Sequence, residues 1–176
     1  MATFSSSAPR LAGITVAHPC ELEENSALAA EFGHPQMQGI IESTGIERRP
    51  IAKSGTISDL ASIAGKSLLE RLNWETDSVD AIIVVTQTPD YPLPATACLL
   101  QHRLNLKTNT LALDINLGCS GYIYGLSVIN GLMQTGGLKR ALLVCGDLTT
   151  RMIAPSDRAM RPLFGDAVAV TALTPQ

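Results

Sequence analysis

The stretch LALDINLGCSGYIYG, residues 111–125, holds the arrangement in this sequence most suited to covalent chemistry. An apolar run ends near Asn116, a tight turn containing Gly118 follows, and an apolar helical pattern starts at about Ser120. Cys119 therefore falls at the end of a strand and in the first turn of a helix. Helix N-termini carry unpaired backbone N–H groups and about half a positive charge. A thiolate is stabilised there, and the same N–H groups can donate to a developing oxyanion. Gly118 and Gly121 would keep side chains away from a substrate approaching the backbone. On spacing alone two uses of Cys119 stay open. It is a nucleophile, or it is a small apolar residue filling a strand–helix turn, as buried cysteines commonly are. A redox role lacks a resolving cysteine nearby in the sequence.

The remaining candidates are weaker. Cys20, Cys98 and Cys145 form no CxxC pair, and no histidine stands at metal-ligand spacing from any cysteine, so no metal site is expected. His18 precedes Pro19, His34 sits in a Gly-His-Pro loop, and His102 lies beside Arg103 on a solvated helix face. None reads as a general base. Asp114, before Cys119, and Asp166 read as structural carboxylates.

The 176 residues, 45% hydrophobic and 16% charged with a net charge of -3, describe a globular domain with a real core. Acids and bases are interspersed, so a nucleic-acid partner is not expected. No apolar run approaches the roughly 20 residues of a membrane span. Residues 1–10 are Ser-rich without the basic start of a secretory signal, and read as a disordered end before a domain over residues 11–176. A long apolar chain with few cysteines suits a reducing, cytoplasmic setting.

The elements that must position Cys119 follow from hydrophobic periodicity. Strands are expected over residues 11–17, 81–86, 111–115, 141–145 and 167–173, and helices over 24–32, 36–43, 58–73, 96–104 and 120–134. Residues 48–55 and 149–161 read as loops. Apolar positions Leu60, Ile63, Ala64, Leu68 and Leu72 follow helical spacing. The β-branched run from Ala81 is apolar on both faces, as a strand in the middle of a layered fold would be. The order β-α-α-β-α-β-α-β-β predicts an α/β fold with helices covering a sheet. The helix after Cys119 is apolar on almost every face and reads as a buried central helix.

With these residues in view the chain resembles the N-terminal half of ketoacyl-(acyl carrier protein) synthase III-type enzymes of the thiolase superfamily. DINLGCSGYIYGL resembles their active-site signature. In the family's order, TGIERR from Thr44, SDLA from Ser58, VVTQTPDYPLPATACLLQHRL from Val84, LLVCGD from Leu142 and FGDA from Phe164 resemble further landmarks. The resemblance implies one half of a duplicated, layered α-β-α thiolase-like fold with a mixed five-stranded sheet. It implies that Cys119 accepts an acyl group from a thioester before decarboxylative Claisen condensation with a malonyl thioester. Gly118, Ser120, Leu93, Arg151 and Thr44 become substrate-binding candidates. Leu93 matches the place of an acyl-pocket gate across a dimer, and Arg151 that of an arginine near the pantetheine entrance.

The resemblance also implies no cofactor beyond the acyl-CoA or acyl carrier protein thioester itself, and a homodimer that receives acyl carrier protein. The assisting His and Asn would come from a C-terminal half, in cis or as a separate subunit. The 176-residue chain by itself is then expected not to condense, and to self-associate. Where acetyl-CoA-using members place a Trp and an Arg to clamp adenine, this chain has Gly39 and Ser43, which favours a carrier-protein thioester or a different CoA pose. After Phe-Gly-Asp, the family's glycines are replaced by Ala167 and Ala169. Competing functions are an acyltransferase moving the group from Cys119 to an oxygen or nitrogen acceptor, and a non-catalytic partner subunit of a split synthase.

Overall fold

The computed structural model describes residues 8–176. In chain order its elements are β1 (Arg10–Ala17), β2 (Leu22–Glu24), α1 (Ala29–Phe32), α2 (His34–Thr44), β3 (Arg48–Pro50), α3 (Ile57–Leu72), β4 (Ala81–Val85), α4 (Thr96–Arg103), β5 (Leu111–Ile115), α5 (Gly121–Gly136), β6 (Ala141–Asp147) and β7 (Ala167–Thr174). Five strands form a mixed sheet in the order β1-β7-β6-β4-β5, and β2 pairs with β3 in a separate two-stranded ribbon. β4 runs parallel to both β5 and β6, while β7 runs antiparallel to β6 and β1. All the parallel strands thus end on one edge of the sheet, the edge from which Cys119 emerges.

Side chains alternate across a strand, so one run of apolar residues feeds two cores. From β4, Ile82 and Val84 face α3 and α4, where they join Ala61, Ala64, Leu68, Ala97 and Leu100. Ala81, Ile83 and Val85 face α5 and meet Ile129 and Met133. Every β4 residue is buried. Each fully buried Val or Ile contributes about 1.5–3 kcal/mol, which makes β4 the spine of the layered structure.

Two of the helices, α3 and α4, are held at their N-termini by carboxylates. Thr56 and Asp59 form a reciprocal capping box on α3. From the loop after β4, Asp90 accepts from the Ser58 N–H and hydroxyl. From β5, Asp114 accepts from the Thr96 and Ala97 N–H groups at 2.7 and 2.8 Å, which fastens α4 to the strand beside it.

The structure departs from the sequence reading in several places. Residues 1–7, most of the expected disordered end, lie outside the described residues, and Arg10 already pairs with Thr174 in β1. The helix expected over 24–32 is a short 3-10 turn followed by the one-turn α1. Asn25 is the cause: it is fully buried, its side chain donates to the Ile46 and Pro162 carbonyls, and its own N–H donates to Glu47. The expected loop over 48–55 begins as β3, which pairs with β2. His34 opens α2 rather than lying in a loop, with proline in the first turn where its missing N–H is harmless. On α3 the buried stripe is Ile57, Ala61, Ala64, Leu68 and Leu69, whereas Ile63 is 64% exposed. Finally, α5 buries only one side. Gly121, Gly125, Ile129 and Met133 face the sheet, and Ile123, Tyr124 and Val128 face outward.

Candidate active site

β5 lies at the edge of the sheet and delivers the chain into a turn. Leu117 donates to the Ile115 carbonyl, and Gly121 closes on the Gly118 carbonyl at 2.8 Å. Ser120 is the N-cap of α5. Its backbone is already helical (φ -87°, ψ -6°), and its hydroxyl makes no capping bond. The helix thus starts at Gly121, one residue later than the sequence pattern indicated, and Cys119 stands immediately before the N-cap. Cys119 is exposed. Among the described residues, the N–H groups of Cys119 and Ser120 donate to no protein oxygen. An exposed thiol therefore sits beside open amide donors at the positive end of a 16-residue helix.

The two glycines flanking Cys119 have different roles. A Cβ on Gly121 would stand 2.4 Å from Val85 Cγ1, and one on Gly125 would stand 2.6 Å from Leu143 Cδ1. Both let α5 lie directly on β4 and β6, so Gly121 serves packing rather than substrate approach. Gly118 faces the loop after β4: a Cβ there would meet Gln87 Oε1 at 2.6 Å.

That loop is mounted on Asp147, at the end of β6. One carboxylate oxygen accepts from the Thr86 hydroxyl at 2.8 Å, the Gln87 N–H at 2.6 Å, and the Thr88 N–H and hydroxyl at 3.1 and 3.2 Å. The Thr88 hydroxyl in turn accepts from the Leu148 N–H at 2.9 Å. A cleft of about 410 Å³ opens here, lined by Ile57, Gln87, Asp90, Leu148, Arg151 and Met152 among others.

The structure brings Gly118, Cys119 and Ser120 together in one turn and places Arg151 in the adjoining cleft. The Arg151 guanidinium donates to the Ala52 carbonyl from Nε and Nη2. Leu93 projects into solvent at 85% exposure from the loop leading to α4. Thr44 serves the end of α2, its hydroxyl donating to Ile40 at 2.7 Å and accepting from the Ile46 N–H at 3.2 Å. That is a helix-terminating role.

Both aspartates read as structural are engaged as such. Asp114 caps α4, and buried Asp166 accepts from Ala52, from the Thr150 N–H and from the Thr150 hydroxyl. His102 sits at the far end of α4, toward the sheet edge where β5 begins, about a strand's length from Cys119. Trp74 packs against the core and carries the Arg140 guanidinium 4.8 Å from its ring centroid. Cys145 is half-buried, and burial together with the Asp147 charge pushes its thiol up from the ordinary cysteine value. Gln87 and Asp147 lie within two of the quoted landmarks, the one starting at Val84 and the one starting at Leu142, but neither stands out there as a site residue.

A mixed five-strand sheet sandwiched by helices, with a cysteine at the strand–helix turn on its parallel edge, defines one half of a thiolase-like fold. The 3-oxoacyl-[acyl-carrier-protein (ACP)] synthase III family matches residues 113–176. A 3-oxoacyl-(acyl-carrier protein) synthase from Burkholderia xenovorans superposes with a TM-score of 0.93 and 43% identity, over 97% of this chain and 49% of that one. A β-ketoacyl-[acyl-carrier-protein] synthase III of Alkalilimnicola ehrlichii is 43% identical over 135 residues, 76% of this chain and 42% of its own length. One of Clostridium perfringens is 37% identical over 165 residues, 94% of this chain and 50% of its own. The chain is similar to enzymes of the ketoacyl synthase III type and spans about half the length of the relatives it matches.

Proposed function

We propose that this chain supplies the nucleophile of a ketoacyl synthase III-type condensing enzyme. The observation that carries the reading is Cys119 itself, exposed before α5 with open backbone N–H groups on either side of its peptide. In the first step the Cys119 thiolate attacks the carbonyl of an acyl thioester. A C–S bond to Sγ forms, the thiol of the donor leaves, and the amides at the turn stabilise the intermediate oxyanion. In the second step a malonyl thioester loses CO₂, its carbanion forms the new C–C bond at the acyl carbonyl, and the Cys119 thiolate is released.

The thioesters carry all the activation this chemistry needs, so no cofactor enters the proposal. A carrier-protein donor is favoured over CoA. Gly39 stands in open space on α2, and the Ser43 hydroxyl is turned to the Ile40 carbonyl, so neither offers a surface for a nucleotide base. A second copy of the chain is proposed along the outer edge of β5. The His and Asn that would assist the second step are proposed to come from the other half of the fold.

The test is acylation. With a short-chain acyl pantetheine thioester, the intact protein should gain one acyl mass, mapped to the Cys119 peptide, and C119A should lose this by at least about a hundred-fold. With limiting iodoacetamide, Cys119 should be labelled ahead of Cys20, Cys98 and Cys145. Preferential acylation or labelling of another cysteine would sink the assignment. Transfer to an alcohol or amine, with no decarboxylation of a malonyl thioester, would replace condensation by simple acyl transfer.

A further inference from the structure

We propose that Gln87 is a positioning and specificity residue for the thioester arriving at Cys119, an inference that rests on the acyl-transfer reading above. Four observations meet at this side chain. Its Oε1 lies 2.6 Å from where a Gly118 Cβ would stand, so the carboxamide covers the residue next to the nucleophile. Adjacent Cα atoms are 3.8 Å apart, which places that oxygen within about 8 Å of the Cys119 Cα. Gln87 also lines the 410 Å³ cleft with Arg151 and Asp90, so it stands where the cleft meets the Cys119 turn. Its backbone is fixed, because the Gln87 N–H and both flanking threonines bind one oxygen of Asp147.

The fourth observation is what the neighbours are doing. Around this cleft the Thr56 hydroxyl belongs to the α3 capping box, Thr88 is held by Asp147 and Leu148, Asp90 is bound to Ser58, and Arg151 is bound to the Ala52 carbonyl. Among the described residues the Gln87 carboxamide makes no hydrogen bond, although it has two N–H donors and an acceptor oxygen. A rigidly mounted, unengaged amide facing a cleft is suited to a ligand with both donors and acceptors, such as the amide-bearing arm of an acyl thioester. Its neutrality matters equally. A carboxylate at this place would oppose formation of the Cys119 thiolate and repel acyl groups that carry a negative charge.

The experiment is single-turnover acylation of Cys119 by a short-chain acyl pantetheine thioester, read by mass over a range of thioester concentrations. It is run on the intact protein and on Q87A and Q87E, alongside the pH dependence of Cys119 alkylation. Gln87 is exposed, so both variants should unfold at the midpoint of the unsubstituted protein. Q87A should raise the half-saturating thioester concentration about fivefold while leaving the limiting rate within about twofold, from loss of one hydrogen bond. Q87E should move the alkylation midpoint of Cys119 upward by about half a pH unit, the effect of a new negative charge at this distance through water. A Q87A saturation curve or a Q87E alkylation profile that overlays that of the unsubstituted protein overturns the proposal. If the unsubstituted protein acylates no cysteine, the acyl-transfer reading has failed and this inference goes with it. If Cys119 is acylated normally and only the Gln87 effects are missing, the failure belongs to this inference alone.

Discussion

The Asp166 junction leads into β7 and the Cys119 turn leads out of β5, yet they treat their polar groups in opposite ways. At Asp166 one buried carboxylate accepts from two backbone N–H groups and a hydroxyl, and its own N–H donates to Pro50. Asn25, Arg49 and Glu23 extend the pattern nearby: the Arg49 guanidinium reaches Asn25, Glu23 and the Phe164 carbonyl. Around Cys119, amide donors and the Gln87 carboxamide have no protein partners among the described residues. Burial explains the first region, since an unmatched buried polar group costs about 1–3 kcal/mol. In the second, exposure removes that cost, because solvent can reach the groups. A polar residue that the fold has fully engaged holds the molecule together, and one left open at an exposed turn is free to meet a ligand.

Breaking the engaged region should therefore damage stability, and altering the open one should not. D166A removes the acceptor of three hydrogen bonds inside the protein and should lower unfolding free energy by about 3 kcal/mol. C119S, at an exposed position, should leave the urea midpoint where it was. Equal losses from the two substitutions would erase the distinction between the regions.

The contrast sharpens along α5, where one helix carries glycines of both kinds. G121A drives a methyl toward Val85, a β-branched side chain in a fully buried strand, and should destabilise by about 2 kcal/mol. Nothing lies within 4 Å of a Cβ built on Gly131, so G131A should instead stabilise by about 0.5–1 kcal/mol through helix propensity. Thermal unfolding of the two variants reads the difference directly, and a stabilising G121A would show that α5 does not lie on β4 as described.

The smallest destabilisation concerns charge. Burial pushes the Glu23 carboxyl up, but hydrogen bonds and charge from Arg49 and Arg161 outweigh it and leave the group below the usual carboxylate range. Its folded value is then lower than its unfolded value. Its stabilisation is fully present above the unfolded value and is lost as pH falls through the folded one. E23Q should be less stable than the unsubstituted protein by about 1 kcal/mol at neutral pH, and the gap should close on acidification. Denaturant midpoints at successive pH values follow it; a gap independent of pH would assign the loss to shape rather than charge.

Much of this was legible in the residues. The β-branched run from Ala81, the strand at Leu111–Ile115 and the helix after Cys119 are local patterns, in which periodicity and glycine punctuation specify element type. The position of Cys119 between an apolar strand and an apolar helix was legible in the same way, because a Gly-Cys-Ser turn is a contiguous signal. Tertiary contacts decided the rest. Asn25 and its distant carbonyl partners converted an expected helix into a 3-10 turn, and pairing with β2 made a strand of Arg48–Pro50. Gly121 has its meaning from Val85, and Gln87 acquires its place only when β4 and the Cys119 turn are side by side. Sequence order records what a residue's neighbours along the chain impose. Whether a polar group is engaged or left open depends on atoms that arrive from tens of residues away, and only the folded structure brings them together.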